Sequence, residues 1–541
     1  MMPESWDALV TEFLDSTFAA RPEIAVNSGR HEFDGQLPDW SEAGLTRERD
    51  RLTSWRSRLH AIETRSLDTA RAFERDYMIA VIDGMLFWLA RADWPHKNPT
   101  FYADALDPDV YVSRPYAPLE QRMKAYITYA RAVPAAAQHI KQNLKPPLPR
   151  TYIDRGSGAF GGLASFYATD VPPVFAAVKD ETLHKEFNAA NGSAIAALKD
   201  VDAWLQSLRA TETEDFALGA DLFREMLSAT EGVDTPLDEL ARIARADLDR
   251  NLALLEQACA KYAPGKSTHE CVALVEAKKT TKSPVDEARD QLAQLRAFIA
   301  KADLVTIPGT EQANVNESPP YMRWNMAYIM IPGPYEKNMP STYYIAPPDP
   351  SWTAAERAAY LPGRANLMFT SAHEVWPGHF LQFLHANRSP SKFGQVFVGY
   401  AFAEGWAHYT EEMVWDAGFS NGDPEMHIGQ LINALLRNAR FVAAIGLHTG
   451  GMTVADAEKL FVEEGHQDPG TARQQAARGT FDPAYLNYTL GKLMIVKLRD
   501  DWIASRGGRA AWKQFHDEVL KFGGPPVPLV RRAMLGGGNL F

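Results

Sequence analysis

Along the first half of the chain, apolar positions recur every three to four residues. Residues 45–62, 70–90 and 119–140 each carry such a stripe, and each predicts an amphipathic helix. Thr235-Pro236-Leu237-Asp238 and Ser283-Pro284-Val285-Asp286 read as helix starts. Each has a hydroxyl cap, a proline at the first helical position and an acid in the first turn. The helices they open extend to the neighbourhood of Tyr262 and Ala302.

Two stretches break this pattern. Residues 145–170 are rich in Pro, Gly and aromatics and predict an irregular loop. Residues 307–350 hold many prolines and an alternating aromatic run: Tyr321, Trp324, Tyr328, then Ser341-Thr342-Tyr343-Tyr344-Ile345. Short strands in a small sheet or ribbon fit that alternation, and a packed surface loop is the other reading. Helical periodicity then returns. Thr353-Ala354-Ala355-Glu356 has the form of a capping box, and Leu361-Pro362-Gly363 interrupts the helix it opens. A helix from Ala365 to near Ala386 follows, then a loop at 388–394 and helices over 396–417 and 427–448. Thr453-Val454-Ala455-Asp456 caps another, and 483–506 is a long one. The Gly/Pro-rich tail, 523–541, is expected to wrap over the surface.

The 541 residues are too many for one small core and suit a large unit or two to three lobes. No fixed-period repeat appears, which argues against a solenoid or propeller. The net charge is -12, so a nucleic-acid partner is not expected, because phosphate binding needs a basic face. Residues 1–18 carry acids and no long apolar core, unlike a signal peptide, and no run of 18 apolar residues predicts a membrane span. Cys259 and Cys271 do not suggest a disulfide scaffold; a bond between them is allowed but not demanded. A cytoplasmic location is the resulting expectation.

The candidate chemistry lies in the apolar run Ser371-Ala372-His373-Glu374-Val375-Trp376-Pro377-Gly378-His379-Phe380 and in Ala403-Glu404-Gly405-Trp406-Ala407-His408-Tyr409. Of three His-Glu pairs, His31-Glu32 and His269-Glu270 read as solvated. Only His373-Glu374 has a second histidine within two turns. The two histidines are six apart, about 240° around an ideal helix, so one metal can be shared only if the helix is interrupted between them. Pro377 lacks an N–H and Gly378 tolerates unusual dihedrals, so they allow either a two-residue bulge or an end to the helix with a new start at His379. Glu404 follows 25 residues after His379, enough for the chain to turn and return. It completes a His-His-Glu set for a divalent metal, zinc above others, with one position open to water. His408 shares the face of Glu404 and is either a partner behind the ligands or an alternative ligand.

These two motifs resemble the bacterial family known as domain of unknown function eight-eight-five, itself similar to helical glutamate-zincin metallopeptidases: thermostable carboxypeptidases, oligopeptidases and angiotensin-converting enzyme. The resemblance is tight from Ser341 to Arg499. It implies a mainly α, cleft-split clamshell fold with a small β ribbon near the active site. Residues 1–305 would form one wall of the cleft and 306–541 the catalytic half. It also implies one Zn2+ per chain on His373, His379 and Glu404, with Glu374 as general base. The six-residue histidine spacing departs from the ordinary four-residue pattern.

Further residues join as candidates. Tyr485 and Tyr488, three apart on the late helix, face one side; the resemblance makes Tyr488 the stabiliser of a developing oxyanion and Tyr485 a substrate contact, against two amphipathic core-edge tyrosines. Arg437 and Arg440, with His448, form a set that could grip a substrate carboxylate, or simply pair with structural acids. Ala444 stands where many relatives carry an aspartate. Tyr343 and Tyr344, if on an edge strand, could line the cleft and pair with an extended peptide. The reading is a zinc-dependent hydrolase, a peptidase acting on short peptides or on another small amide or ester. A non-catalytic metal- or ligand-binding protein of the same fold is the alternative. No nucleic acid or membrane is expected as partner, and a homodimer is compatible with the sequence.

Overall fold

The computed structural model describes residues 5–319, 323, 326–348, 350 and 352–541. Tyr321 and Trp324 lie outside the described residues, as does the side chain of Glu356. The chain forms two compact units, Met1–Phe216 with Pro332–Met339, and Ala217–Ile331 with Pro340–Phe541. Both are mainly helical. The division therefore falls near 216, not at the expected 305, and the helices between those points belong to the second unit.

In the first unit, α1 (Leu119–Asn143) and α2 (Arg150–Thr169) pack along α3 (Glu181–Ser207). The loop expected at 145–170 is thus mostly a helix of 20 residues. Glycine lowers helix propensity, but here it permits close packing: a methyl group at Gly156 would lie 2.7 Å from Pro99. The aromatics of α2 are core, with Phe160 and Tyr167 fully buried and the Tyr167 hydroxyl donating to Leu106 O at 2.8 Å. His31 is not a solvated residue either. Its ring stacks on Tyr116 with centroids 3.6 Å apart, and its nitrogens meet Asp34 and Glu336.

The second unit holds α4 (Ala220–Glu231), α5 (Leu237–Tyr262), α6 (Thr268–Glu276) and α7 (Pro284–Ala302). Ser283 caps α7 through the Asp286 N–H, as its sequence predicts. In α5 the proline sits one position earlier than predicted, at the cap itself. Cys259 at the end of α5 and Cys271 in α6 form a disulfide, which nothing in their spacing required.

The proline-rich stretch does contain strands: β1 (Ala313–Glu317), β2 (Ala327–Met330) and β3 (Ser341–Ile345). Their order is β1-β3-β2, parallel on one side and antiparallel on the other. β3 is therefore the central strand, and its ladder groups are already used. It cannot take an extended peptide as an edge strand would. Pleat alternation buries Tyr343 completely beside Ser371, while Tyr344 turns to the other face and stacks on Tyr328.

Next come α8 (Arg364–Glu374), α9 (His379–Ala386), α10 (Tyr400–Asp416), α11 (Pro424–Thr449), α12 (Pro469–Phe481) and α13 (Asn487–Ile503). Residues 483–486 form a 3-10 turn before α13. The tail expected to lie on the surface contains a helix, Val527–Leu535, whose Val527 and Val530 are buried. Among the described residues, no helix is long and apolar enough to cross a membrane.

Candidate metal centre

The helix expected from Ala365 to Ala386 is two helices. α8 ends at Glu374, where Val375 leaves helical geometry at φ -124° and ψ -72°. α9 begins at His379. Gly378 bridges them because nothing larger fits: a methyl group there would lie 1.7 Å from His373 O. Its N–H donates to Ala372 O, and the Trp406 indole of α10 donates to Pro377 O at 3.0 Å, fixing the turn. Of the two geometries open to the sequence, the structure takes the break and restart.

The break brings the two imidazoles together, with ring centroids 4.8 Å apart and planes nearly perpendicular. Glu404 Oε2 lies 3.2 Å from His373 Nε2 and 3.3 Å from His379 Nε2. One ligand atom from each of the three residues falls within 4.8 Å of the others. Two nitrogens and one carboxylate oxygen converging this closely could hold a divalent metal ion.

α10 reaches this position through its contact with α13. A methyl group at Gly491 would lie 2.0 Å from Ala401 O, and one at Gly405 would meet the Gly491 backbone at 2.5 Å. The two glycines let the helix axes approach until Tyr488 stacks over His373, centroids 6.2 Å apart. α11 supports α8 by a similar contact between Gly429 and Ala365.

Beneath the ligands lies a carboxylate that the sequence reading missed. Glu411 is fully buried, and its Oε1 sits 2.7 Å from His373 Nδ1. Its other oxygen is 3.4 Å from His408 Nδ1, and Arg437 provides its counter-charge at 3.3 Å. Burial works to raise the Glu411 pKa, but Arg437 and the two histidines outweigh it and hold the carboxylate far below its usual range. A signal was available: Glu404, His408 and Glu411 fall at i, i+4 and i+7 on one helical stripe. His408 is therefore a partner of Glu411. It is outside the converging ligand set, and burial lowers its pKa to about 4.

The neighbouring Glu412 anchors the back of α10. It pairs with buried Lys492 of α13 and, at 2.8 and 3.1 Å, with Arg250 of α5. Asn438 of α11 donates to Asp247 of α5 at 2.8 Å. These ion pairs and hydrogen bonds link four helices, which keeps the Glu404 stripe in register.

Glu374 follows the first ligand directly. Burial raises its pKa, and Glu404 adds to this; His373, His379 and Arg437 oppose it. Tyr488 also has a raised pKa, again mainly from burial and then from Glu404, so its phenol stays protonated.

The other candidates separate. Tyr485 is fully buried with its ring against Gly479, so it cannot touch a substrate. His448 is committed to backbone: Nδ1 accepts from the Leu218 N–H at 3.2 Å and Nε2 donates to Gly479 O at 2.7 Å. It is a structural tie, not a substrate ligand. Arg437 pairs with Glu411, donates to Asn433 O and lies 3.1 Å from His373 Nδ1, which leaves its Nε without a partner among the described residues. Arg440 remains beside Tyr488, with its carbon 4.6 Å from the ring centroid.

This fold and this set of residues define a helical protein with a His-His-Glu cluster that could hold a metal ion. The sequence profile described as "Bacterial protein of unknown function (DUF885)" matches residues 22–534, and the chain belongs to that family. No curated protein matches it. A proposed lipoprotein of unknown function from Shewanella oneidensis is similar at 23% identity, with a TM-score of 0.81, over 98% of this chain and 100% of that one. A second proposed lipoprotein, from Colwellia psychrerythraea, is similar at 18% identity and a TM-score of 0.82, over 98% of this chain and 99% of that one. An M32 carboxypeptidase from Deinococcus radiodurans R1 is a much looser match, with 12% identity and a TM-score of 0.36 over 87% and 90% of the two chains.

Proposed function

We propose that the protein is a zinc-dependent hydrolase, a peptidase that cuts short peptides. The observation that supports this is the convergence of His373, His379 and Glu404 within 4.8 Å, with Glu374 attached directly to the first of them. Zinc held by those three side chains would supply Lewis-acid activation of water and of the scissile carbonyl. Glu374 takes the proton of the attacking water and passes it to the departing amine, so the C–N bond breaks as the acyl carbon gains oxygen. Tyr488 donates its phenolic proton in a hydrogen bond to the oxyanion that develops. Glu411 holds His373 with Nε2 toward the ligand point.

The Cys259–Cys271 disulfide supports an oxidising compartment outside the cytoplasm, against the expectation from cysteine count alone. The related lipoproteins agree with such a placement.

The test is elemental analysis paired with kinetics. Wild-type protein should carry about one zinc per chain. Glu374→Gln should keep that zinc yet lose roughly 1000-fold in the hydrolysis of a mixed tripeptide pool. A Glu374→Gln variant that cuts peptides at the wild-type rate rejects the base assignment.

A further inference from the structure

Three guanidinium groups surround the ring of Tyr488, with their carbons 4.6 Å (Arg440), 5.7 Å (Arg437) and 5.9 Å (Arg478) from its centroid. Their partners differ. Arg437 has Glu411 at 3.3 Å. Arg478 has Asp482 at 2.8 Å and also donates to the Tyr400 hydroxyl at 3.0 Å. Arg440 has no acid. Its Nε donates to the neutral amide oxygen of Gln475 at 2.8 Å, and among the described residues its two Nη nitrogens meet no hydrogen-bonding partner.

This is an unusual position for a cation. Arg440 is only 7% exposed, and an arginine stays charged when buried. A buried charge needs a counter-charge or a full set of hydrogen bonds, and the charged groups beside Arg440 include two more cations, Arg437 and Arg478. An arginine serving only to brace α11 against α12 would be expected to carry an acid, as Arg478 does within α12 itself. The Nε is used to aim the group, and the fork of Nη atoms is left over. That fork is the half of a guanidinium that matches a carboxylate in two parallel hydrogen bonds.

Its location sets which carboxylate. The ring beneath Arg440 is the same ring that stacks over the ligand His373. A single aromatic side chain therefore separates the free fork from the metal centre. The two centroid distances, 4.6 and 6.2 Å, cap that separation at about 11 Å, and the last two or three residues of an extended peptide, at about 3.3 Å each, are of the right order to bridge it. We propose that Arg440 binds the C-terminal carboxylate of the substrate, so that the protein is an exopeptidase removing residues from free peptide C-termini. The proposal rests on the hydrolase reading of the metal centre. It narrows the expected cationic set: His448 is committed to backbone and Arg437 has Glu411 as its counter-charge, whereas Arg440 has both Nη atoms of its fork unpaired among the described residues.

The experiment compares two random tetrapeptide pools, one with free C-termini and one amidated, followed by mass spectrometry. Zinc-loaded wild type should shorten the free-acid pool from its C-terminus and cut the amidated pool roughly 100-fold more slowly or worse. In Arg440→Gln the acid-over-amide ratio should collapse to within about threefold, through a rise in KM for the acid pool. An arginine with a purely structural role would slow both pools together and leave the ratio intact. Arg440→Lys keeps the charge without the fork and should retain part of the ratio; it stands in if Arg440→Gln does not fold. Equal cleavage of the two pools by wild type, or a full ratio surviving substitution, overturns the proposal. If fully zinc-loaded wild type cuts neither pool, the hydrolase reading fails separately. Equilibrium dialysis of the same pools then decides the carboxylate site. Retention of acid over amide that Arg440→Gln abolishes upholds it, and equal or absent retention overturns it.

Discussion

Glu411 Oε1 sits 2.7 Å from Nδ1 of His373, while the opposite nitrogen of the same ring faces Glu404 Oε2 at 3.2 Å. One imidazole thus connects a buried anion on one side to the ligand point on the other. The carboxylate fixes which nitrogen carries the proton and so which one is free to bind a metal. Glu411→Gln should lower metal affinity roughly 10- to 100-fold, measured by chelator competition. It should also leave Arg437 without its counter-charge, and the cost to stability should be about 3–5 kcal/mol. Unchanged affinity would reduce Glu411 to a purely structural role.

Glu231 predicts a pH dependence of stability. The residue is fully buried at the end of α4; its Oε1 accepts from the Asn487 amide at 3.0 Å and the Ala401 N–H at 3.3 Å, and its Oε2 has no partner among the described residues. Burial raises its pKa from 4.5 to about 8, with the Ala401 N–H opposing. In this window the folded chain binds more protons than the unfolded chain, so stability falls as pH rises from about 4.5 to about 8. Glu231→Gln removes that titration. The variant should show a flatter profile, with a gain on the order of a few kcal/mol over wild type above pH 8. Urea unfolding at a series of pH values measures it, and parallel wild-type and variant profiles would refute it.

The disulfide joins α5 to α6, and α6 reaches the metal-site helix. Glu276 at the end of α6 accepts the Gly363 N–H at 3.0 Å and the Asn366 amide at 3.2 Å, holding the start of α8. The bond closes a loop with a sequence separation of 12. Replacing both cysteines, Cys259→Ser with Cys271→Ser, should cost about 2–3 kcal/mol. A reductant should destabilise wild type by a similar amount and leave the double variant unaffected. Insensitivity of wild type to the reductant would show that the bond contributes nothing.

The candidate donors and the adjoining Glu374 were legible because they are local. His373, Glu374, His379 and Glu404 sit in apolar helical runs where an ionisable group needs a reason to be buried. Glu411 was legible in principle from its i+7 spacing, yet a single acid beside Glu412 resembles a solvated helix face. For Arg437 and His448 the sequence leaves a substrate grip and a structural role both open, because helix spacing reports which face a residue is on, and not what lies opposite. Their partners, Glu411 and Gly479, come from other helices. The same limit applied to residues 145–170, where Gly and aromatics weaken local helix signals and tertiary packing on α3 overrides them.

By itself, then, the amino-acid order determined a mainly helical chain, an irregular aromatic stretch open to either short strands or a loop, and a candidate His-His-Glu donor set interrupted by Pro377-Gly378. Those features follow from periodicity and from side-chain chemistry, which act over a few residues. The fold decided the rest: a helix break in place of a bulge, β3 in the middle of its sheet, the disulfide, and which of three arginines is left without an acid among the described residues. Each of these depends on what distant segments bring within a few ångströms, and that is settled only when glycines such as Gly405 and Gly491 let whole helices close on one another.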